Sequence, residues 1–232
     1  MAEFNPEARE TNDVERRTHT IELRVDAPGL GKTTSTIRGY AAKFNSLSEA
    51  MPVRDERGVV IGTFRELLLP GCFAAALPNC DVRSLINHDP NLILGRTASG
   101  TLRLSEDEVG LRFEIDPPET SYSKDIQISM QRGDISQCSF GFNVATGGDT
   151  YSKDPNVDKG WIRTIRSISK LYDASPVTYP AYLNTNCAVR SIIEGIKTSE
   201  DEVTAAAAIK AEEERSLIVA KEKAELELLE RM

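Results

Sequence analysis

Histidine is the scarcest chemistry in this chain, with two in 232 residues, His19 and His88. A zinc hydrolase centred on His88 and Asp89 therefore lacks a second histidine nearby, and no metal site is expected. Cysteine is nearly as rare. Cys72, Cys80, Cys138 and Cys187 stand without Cys-x-x-Cys spacing, which excludes a zinc ribbon and a redox pair and leaves free, mostly buried thiols. No apolar run approaches the length of a bilayer span, and Met-Ala-Glu-Phe-Asn-Pro is no signal sequence, so a soluble cytosolic protein without membrane contact is expected. Positive charge is also short, at 28 Lys and Arg against 36 Asp and Glu for a net charge of −8. With no dominant basic cluster, nucleic-acid binding by phosphate neutralisation is not expected. An acidic balance suits basic or mixed-charge protein partners instead. Gly31-Lys32-Thr33 imitates the end of a phosphate-binding loop, but Asp26 occupies the place of the first glycine and strands flank it, so it reads as a turn and no cofactor is expected.

What is present is a periodicity of two. With 40% hydrophobic residues the chain can bury one substantial core, and one compact domain with tails is the simplest account. Residues 1–19 are polar and aperiodic and predict a flexible arm. Ile21–Val25 and Thr36–Phe44 predict paired strands, residues 45–63 an exposed loop, and Phe73–Leu77 a short helix. Gly100–Ser105 and Gly110–Asp116 alternate around an acidic turn and predict a hairpin. Ser121–Arg132 predicts a helix stopped by Gly133, Ile135–Val144 a strand, and Trp161–Ile168 with Lys170–Tyr179 further strand after a Gly/Asp/Lys-rich loop. A domain over 20–192 is thus mainly β with flanking helices, and alternation alone allows a barrel or a sandwich. Thr198-Ser199-Glu200-Asp201-Glu202 predicts the start of a C-terminal helix over 198–232. Its stripe of Leu217, Ala220, Ala224 and Leu228 fits either a solvated helix or a scaffold-docking coiled-coil segment.

Two local contexts carry the chemistry. His88 closes Val82-Arg83-Ser84-Leu85-Ile86-Asn87-His88 ahead of Asp89-Pro90, and Ser139 lies in Ser136-Gln137-Cys138-Ser139-Phe140-Gly141-Phe142. A serine hydroxyl is a poor nucleophile without a base in reach, and His88 is the only histidine within the globular part. Adjacent strand residues face opposite ways, so Cys138 cannot share the base with Ser139 and reads as a small core residue.

Asn87-His88-Asp89, Leu94-Gly95-Arg96, Gly110-Leu111, Ser139-Phe140-Gly141-Phe142 and Asp173-Ala174-Ser175-Pro176-Val177-Thr178-Tyr179-Pro180-Ala181-Tyr182 follow in an order and spacing that resemble the prohead proteases of tailed bacteriophages. The resemblance runs from about Ile37 to about Arg190. It implies an antiparallel β-barrel of the kind shared with herpesvirus assemblin, and a serine endopeptidase that digests scaffold during capsid maturation. It further implies Ser139 as nucleophile and His88 as base. Assemblin-like enzymes orient the base with a second histidine, and this chain offers only His19. Asp173 is therefore the first candidate for that place and Asp89 the second. Arg163 and Arg166 are candidates to assist the oxyanion by analogy with an arginine-bearing loop. The implied partners are the major capsid protein and scaffold, with a homodimer allowed, and the implied location is the host cytoplasm inside assembling proheads, or the cytoplasm for a prophage-encoded protein. Self-removal of the arm and of the segment beyond about Arg190 is also expected, since both ends read as poorly packed. The competing reading is a non-enzymatic capsid or scaffold assembly protein.

Overall fold

The computed structural model describes residues 14–20, 23–27, 34–54, 57–179 and 186–229, of which 19, 20, 186–192, 202, 207 and 217–229 are described by backbone alone. The Gly31-Lys32-Thr33 turn, residues 1–13 of the expected arm, and the side chains of Cys187 and of the Leu217–Leu228 stripe lie outside the described residues.

Strands β1 (Glu15–Thr20), β2 (Arg24–Val25), β3 (Ile37–Lys43), β4 (Met51–Arg54), β5 (Val60–Leu68), β6 (Arg83–Ile86), β7 (Asp89–Arg96), β8 (Leu102–Glu106) and β9 (Gly110–Ile115) precede helix α1 (Ser121–Arg132). Strands β10 (Gln137–Val144), β11 (Asp149–Lys153), β12 (Gly160–Ile165) and β13 (Ile168–Val177) then lead to helix α2 (Asn186–Leu229). The protein is mainly β. Its ladders form three sheets, ordered β1-β10-β13-β6-β7, β11-β12-β5-β4 and β2-β3-β9-β8. Most pairs are antiparallel as expected, but β12 runs parallel to β5 and β13 parallel to β6.

The larger of two apolar clusters among the described residues lies between inner faces. Leu111, Phe113 and Ile115 of β9 alternate inward, as do Cys138, Phe140 and Phe142 of β10. Phe140 stacks on Phe142 at 4.9 Å and meets Phe73 edge-on at 5.6 Å between ring centroids. Gly133 ends α1 in the left-handed conformation, at φ 83°, as its place after the last apolar residue predicts.

The loop expected over 45–63 contains β4 and the start of β5, and the loop before Trp161 contains β11, because β4 and β11 are too short to show a period and their partners supply the ladder. The expected helix at Phe73–Leu77 is instead a succession of turns from Pro70 to Asn79, confined between Pro70-Gly71 and Pro78. The C-terminal helix begins at Asn186, not Thr198. Thr198 Oγ1 donates to the Glu194 carbonyl inside the helix, so the capping pattern is satisfied in mid-helix. Nor is the start of this segment loose. Ile193 and Ile196 pack against Val53, Phe64 and Trp161, Gly195 lies so close to the Tyr151 ring that a Cβ there would sit 2.3 Å from it, and Lys153 pairs with Glu200 at 2.8 Å.

The largest departure is β1, which falls in the stretch expected as a flexible arm and pairs antiparallel with β10. Two of its charged residues, Glu15 and Arg17, point inward, with the exposed Arg16 between them. Arg17 pairs with Glu66 and, at 2.7 Å, with Glu15; Arg163 pairs with Glu15 at 2.5 Å, with Glu66 at 2.8 Å and with Asp149 at 2.7 Å. Glu15, Arg17, Glu66 and Arg163 are all buried. This network joins β1 of the five-stranded sheet to β5, β11 and β12 of another. Burial alone would raise the pKa of Glu15, but the Arg163 and Arg17 guanidiniums outweigh it and hold the carboxyl at about 2, down from an ordinary 4.5.

Removing one partner of such a buried pair leaves an uncompensated charge and costs about 3–5 kcal/mol. Arg17→Ala is expected to lower unfolding free energy by about that much in urea titrations. Because the folded pKa of Glu15 is depressed, its contribution is complete above 4.5 and disappears as pH falls towards about 2. The stability of the native chain should therefore decline across that window more steeply than that of Glu15→Gln.

Candidate active site

His88 sits in a tight turn between two strands. Asn87 and His88 adopt φ of 52° and 60°, joining β6 to β7 as a two-residue turn with both central residues left-handed. Asparagine tolerates that region well, whereas a histidine there is held by its surroundings. The clamp comes from β13. Asn87 N–H donates to the Pro176 carbonyl at 3.0 Å, and Thr178 N–H donates to Asn87 Oδ1 at 2.8 Å. Pro90 follows without penalty because β7 is an outer strand of its sheet, where a missing N–H is tolerated.

The clamped turn delivers the imidazole to a carboxylate. His88 Nδ1 lies 2.5 Å from Asp173 Oδ2. A carboxylate only accepts, so Nδ1 carries a proton, and in the neutral ring Nε2 keeps its lone pair. Asp173 stands opposite Gly141 of β10, and Ser175 stands opposite Ser139. These four positions share the face of the sheet away from Phe140 and Phe142. Directly opposed residues of an antiparallel pair have Cβ atoms roughly 5 Å apart, which puts Ser139 beside Ser175 and one pleat from the His88–Asp173 pair.

Ser139 is fully buried. Its Oγ and His88 Nε2 are both buried polar atoms with no hydrogen-bond partner among the described residues. Leaving such atoms unpaired ordinarily costs about 1–3 kcal/mol each, so each marks a place where the fold gives up stability. At His88 opens a cleft of about 300 Å³ lined by Asn87, His88, Val177, Thr178 and the exposed Tyr179, while Ser139 lies beneath the surface and is not among its lining residues.

The other candidates fall elsewhere. Asp89 Oδ1 accepts from the backbone and side-chain nitrogens of Asn91, both at 2.9 Å, and faces its own turn. Arg163 is committed to the buried carboxylates, and exposed Arg166 lies in the turn before β13, so neither is placed beside Ser139 as the oxyanion reading requires. The register sets His19 opposite Cys138. Cys138 lies in the apolar core, where burial pushes its thiol pKa far up, in keeping with a packing residue. Sequence reasoning missed Ser175, although a serine two positions after Asp173 on one strand must share its face.

A family model described as caudovirus prohead serine protease matches residues 18–199. A prohead protease of Enterobacteria phage HK97 is 30% identical over 185 residues, covering 78% of this chain and 70% of that protein. No solved structure matches the chain.

Gly141 supplies a sharp test of the site's packing. A Cβ there would lie 2.5 Å from Asp173 Oδ1 and 3.1 Å from Val14 Cγ1, so Gly141→Ala must displace the carboxylate. Peptide-bond cleavage by Gly141→Ala is expected to fall at least about tenfold, since a displacement of about 1 Å in a catalytic constellation can cost that and more. Its far-ultraviolet dichroism should stay native.

Proposed function

The chain belongs to the caudovirus prohead serine protease family, and on that premise we propose that Ser139, His88 and Asp173 form its catalytic triad. The hydrogen bond from His88 Nδ1 to Asp173 Oδ2, which leaves Nε2 unpartnered on the sheet face of Ser139, carries this reading. His88 Nε2 takes the proton of Ser139 as Oγ attacks the scissile carbonyl, then passes it to the departing amine. Water repeats the sequence on the acyl-enzyme and restores the serine. Asp173 holds the tautomer and stabilises the imidazolium at each proton transfer.

The proposed substrates are scaffold, or the scaffolding segment of the major capsid protein, inside assembling proheads. The cleft at Asn87, His88, Val177, Thr178 and Tyr179 is proposed to receive the substrate chain beside His88. Among the described residues no helix is long and apolar enough to cross a membrane. The shared core and the ladders of the three sheets are consistent with a barrel-like wrap, although among the described residues the ladders do not close into one ring. The catalytic unit is proposed to extend from β1 to the docked base of α2, a wider span than 20–192. Self-trimming is then restricted to chain before β1 or beyond Glu200, because Glu15–Thr20 is held in a ladder and Ile193–Glu200 is packed.

Co-expression with the cognate major capsid protein, followed by intact-mass analysis, tests the proposal. Native chain is expected to shorten the capsid protein, and Ser139→Ala and His88→Ala to leave it whole, since a triad acts as a unit and losing either member costs several orders of magnitude. Full cleavage by purified Ser139→Ala would sink the serine mechanism. Self-processing is expected as trimmed masses of the native enzyme whose new ends avoid 15–20 and 193–200. A Ser139→Ala preparation showing the same trimmed masses would assign the cutting to another protease.

A further inference from the structure

Asp173 Oδ2 receives two short hydrogen bonds, and only one of them comes from His88. Ser175 Oγ lies 2.5 Å from the same oxygen and, since the carboxylate can only accept, Ser175 is the donor. The same hydroxyl accepts from the Leu85 backbone N–H at 3.1 Å. Ser175 is wholly buried and stands directly opposite Ser139.

These contacts form a single chain, from Leu85 N–H to Ser175 Oγ, from Ser175 Oγ–H to Asp173 Oδ2, and from His88 Nδ1–H to that oxygen. Leu85 belongs to β6, the strand that enters the His88 turn. The register between β6 and β13 consists of the pair Asp173 and Arg83, and the Ser175 hydroxyl adds a tie between these strands to the Asn87 clamp at the turn. It fixes the carboxylate directly and the histidine-bearing hairpin through the Leu85 backbone.

We infer that Ser175 is a positioning residue of the catalytic site: it acts through Asp173, orienting and sharing the charge of the carboxylate that orients His88. The inference rests on the triad reading above. A neutral small residue would fill the same space beside Ser139, but it would leave the Leu85 N–H unpaired and Asp173 Oδ2 with one donor in place of two. Charge-assisted hydrogen bonds are about twice as strong as neutral ones, which explains why a hydroxyl is built into a wholly buried position on this strand.

The test compares Ser175→Ala, Ser175→Thr, Ser175→Val, Asp173→Asn and the Asp173→Asn/Ser175→Ala double variant in the full chain, each checked for a native thermal transition. The readouts are kcat and KM on the purified cognate capsid protein and the downfield proton resonance of His88 Nδ1–H. Ser175→Ala is expected to lower kcat by roughly 10- to 100-fold with KM unchanged, the range that loss of one buried charge-assisted bond supplies, and to shift or broaden the resonance. Threonine and valine have the same shape, so Ser175→Thr turning over at least about tenfold faster than Ser175→Val assigns the effect to the hydroxyl. Action through Asp173 requires the double variant to be no slower than Asp173→Asn. Native kcat in Ser175→Ala alongside a slow Asp173→Asn overturns the role of Ser175, as does an additive loss in the double variant. Near-native kcat in Asp173→Asn overturns the triad reading itself, whatever Ser175→Ala shows.

Discussion

A carboxylate buried on the face of a β-sheet is the constraint around which this site is organised. Asp173 is 5% exposed, and a lone charge at such depth would be unstable without donors aimed at it. Two side chains converge on one of its oxygens, and Gly141 leaves the other oxygen room that any Cβ would take. Each of these needs a neighbour in register. The glycine must face Asp173 on β10, the serine must follow two places later on β13, and the histidine must arrive from a turn closed against Pro176 and Thr178. A slip of one residue in the pairing of β10 and β13 would send Ser139 to the phenylalanine face and dismantle the arrangement.

The second buried charge system solves a different problem. Glu15, Arg17, Glu66, Arg163 and Asp149 occupy space between two sheets that apolar side chains would ordinarily fill. Such a network contributes little to stability compared with well-packed hydrophobes, but it tolerates few alternative partners. It fixes which strand lies beside β10. The Arg17 guanidinium also rests 5.7 Å above the Phe142 ring, so the charge layer and the aromatic core meet without a gap at the strand that carries Ser139.

How much of this the sequence disclosed follows from what periodicity can register. The β8–β9 hairpin, α1 with its glycine stop, β10 and β13 were legible because one face of each is apolar and the local stop signals agree. β1 was illegible because its inward residues are Glu15 and Arg17, which read as solvent-facing until the acids and arginines of distant strands are known to meet them. β4 and β11 are four and five residues long, too short to register a period, and their partners make them strands. His88, Ser139 and Asp173 were all nameable from local context and resemblance. That His88 reaches its place through a left-handed turn, and that Ser175 shares an oxygen with it, depends on pairing between segments some 85 to 90 residues apart. The start of α2 was misplaced because a good capping sequence at Thr198 does not forbid a helix from already being under way.

The length of α2 has a mechanical consequence. A 44-residue helix at 1.5 Å per residue is about 66 Å long, and its contacts with the sheets from Ile193, Gly195, Ile196 and Glu200 all lie in its first third. Whatever holds its far end would keep the enzyme within a hemisphere of that radius. Tethering of this sort raises the local concentration of any cleavable chain inside the hemisphere and sets a hard limit on how far cutting can spread. An enzyme so moored would act on near neighbours first, and severing the helix would turn a local cutter into a diffusing one.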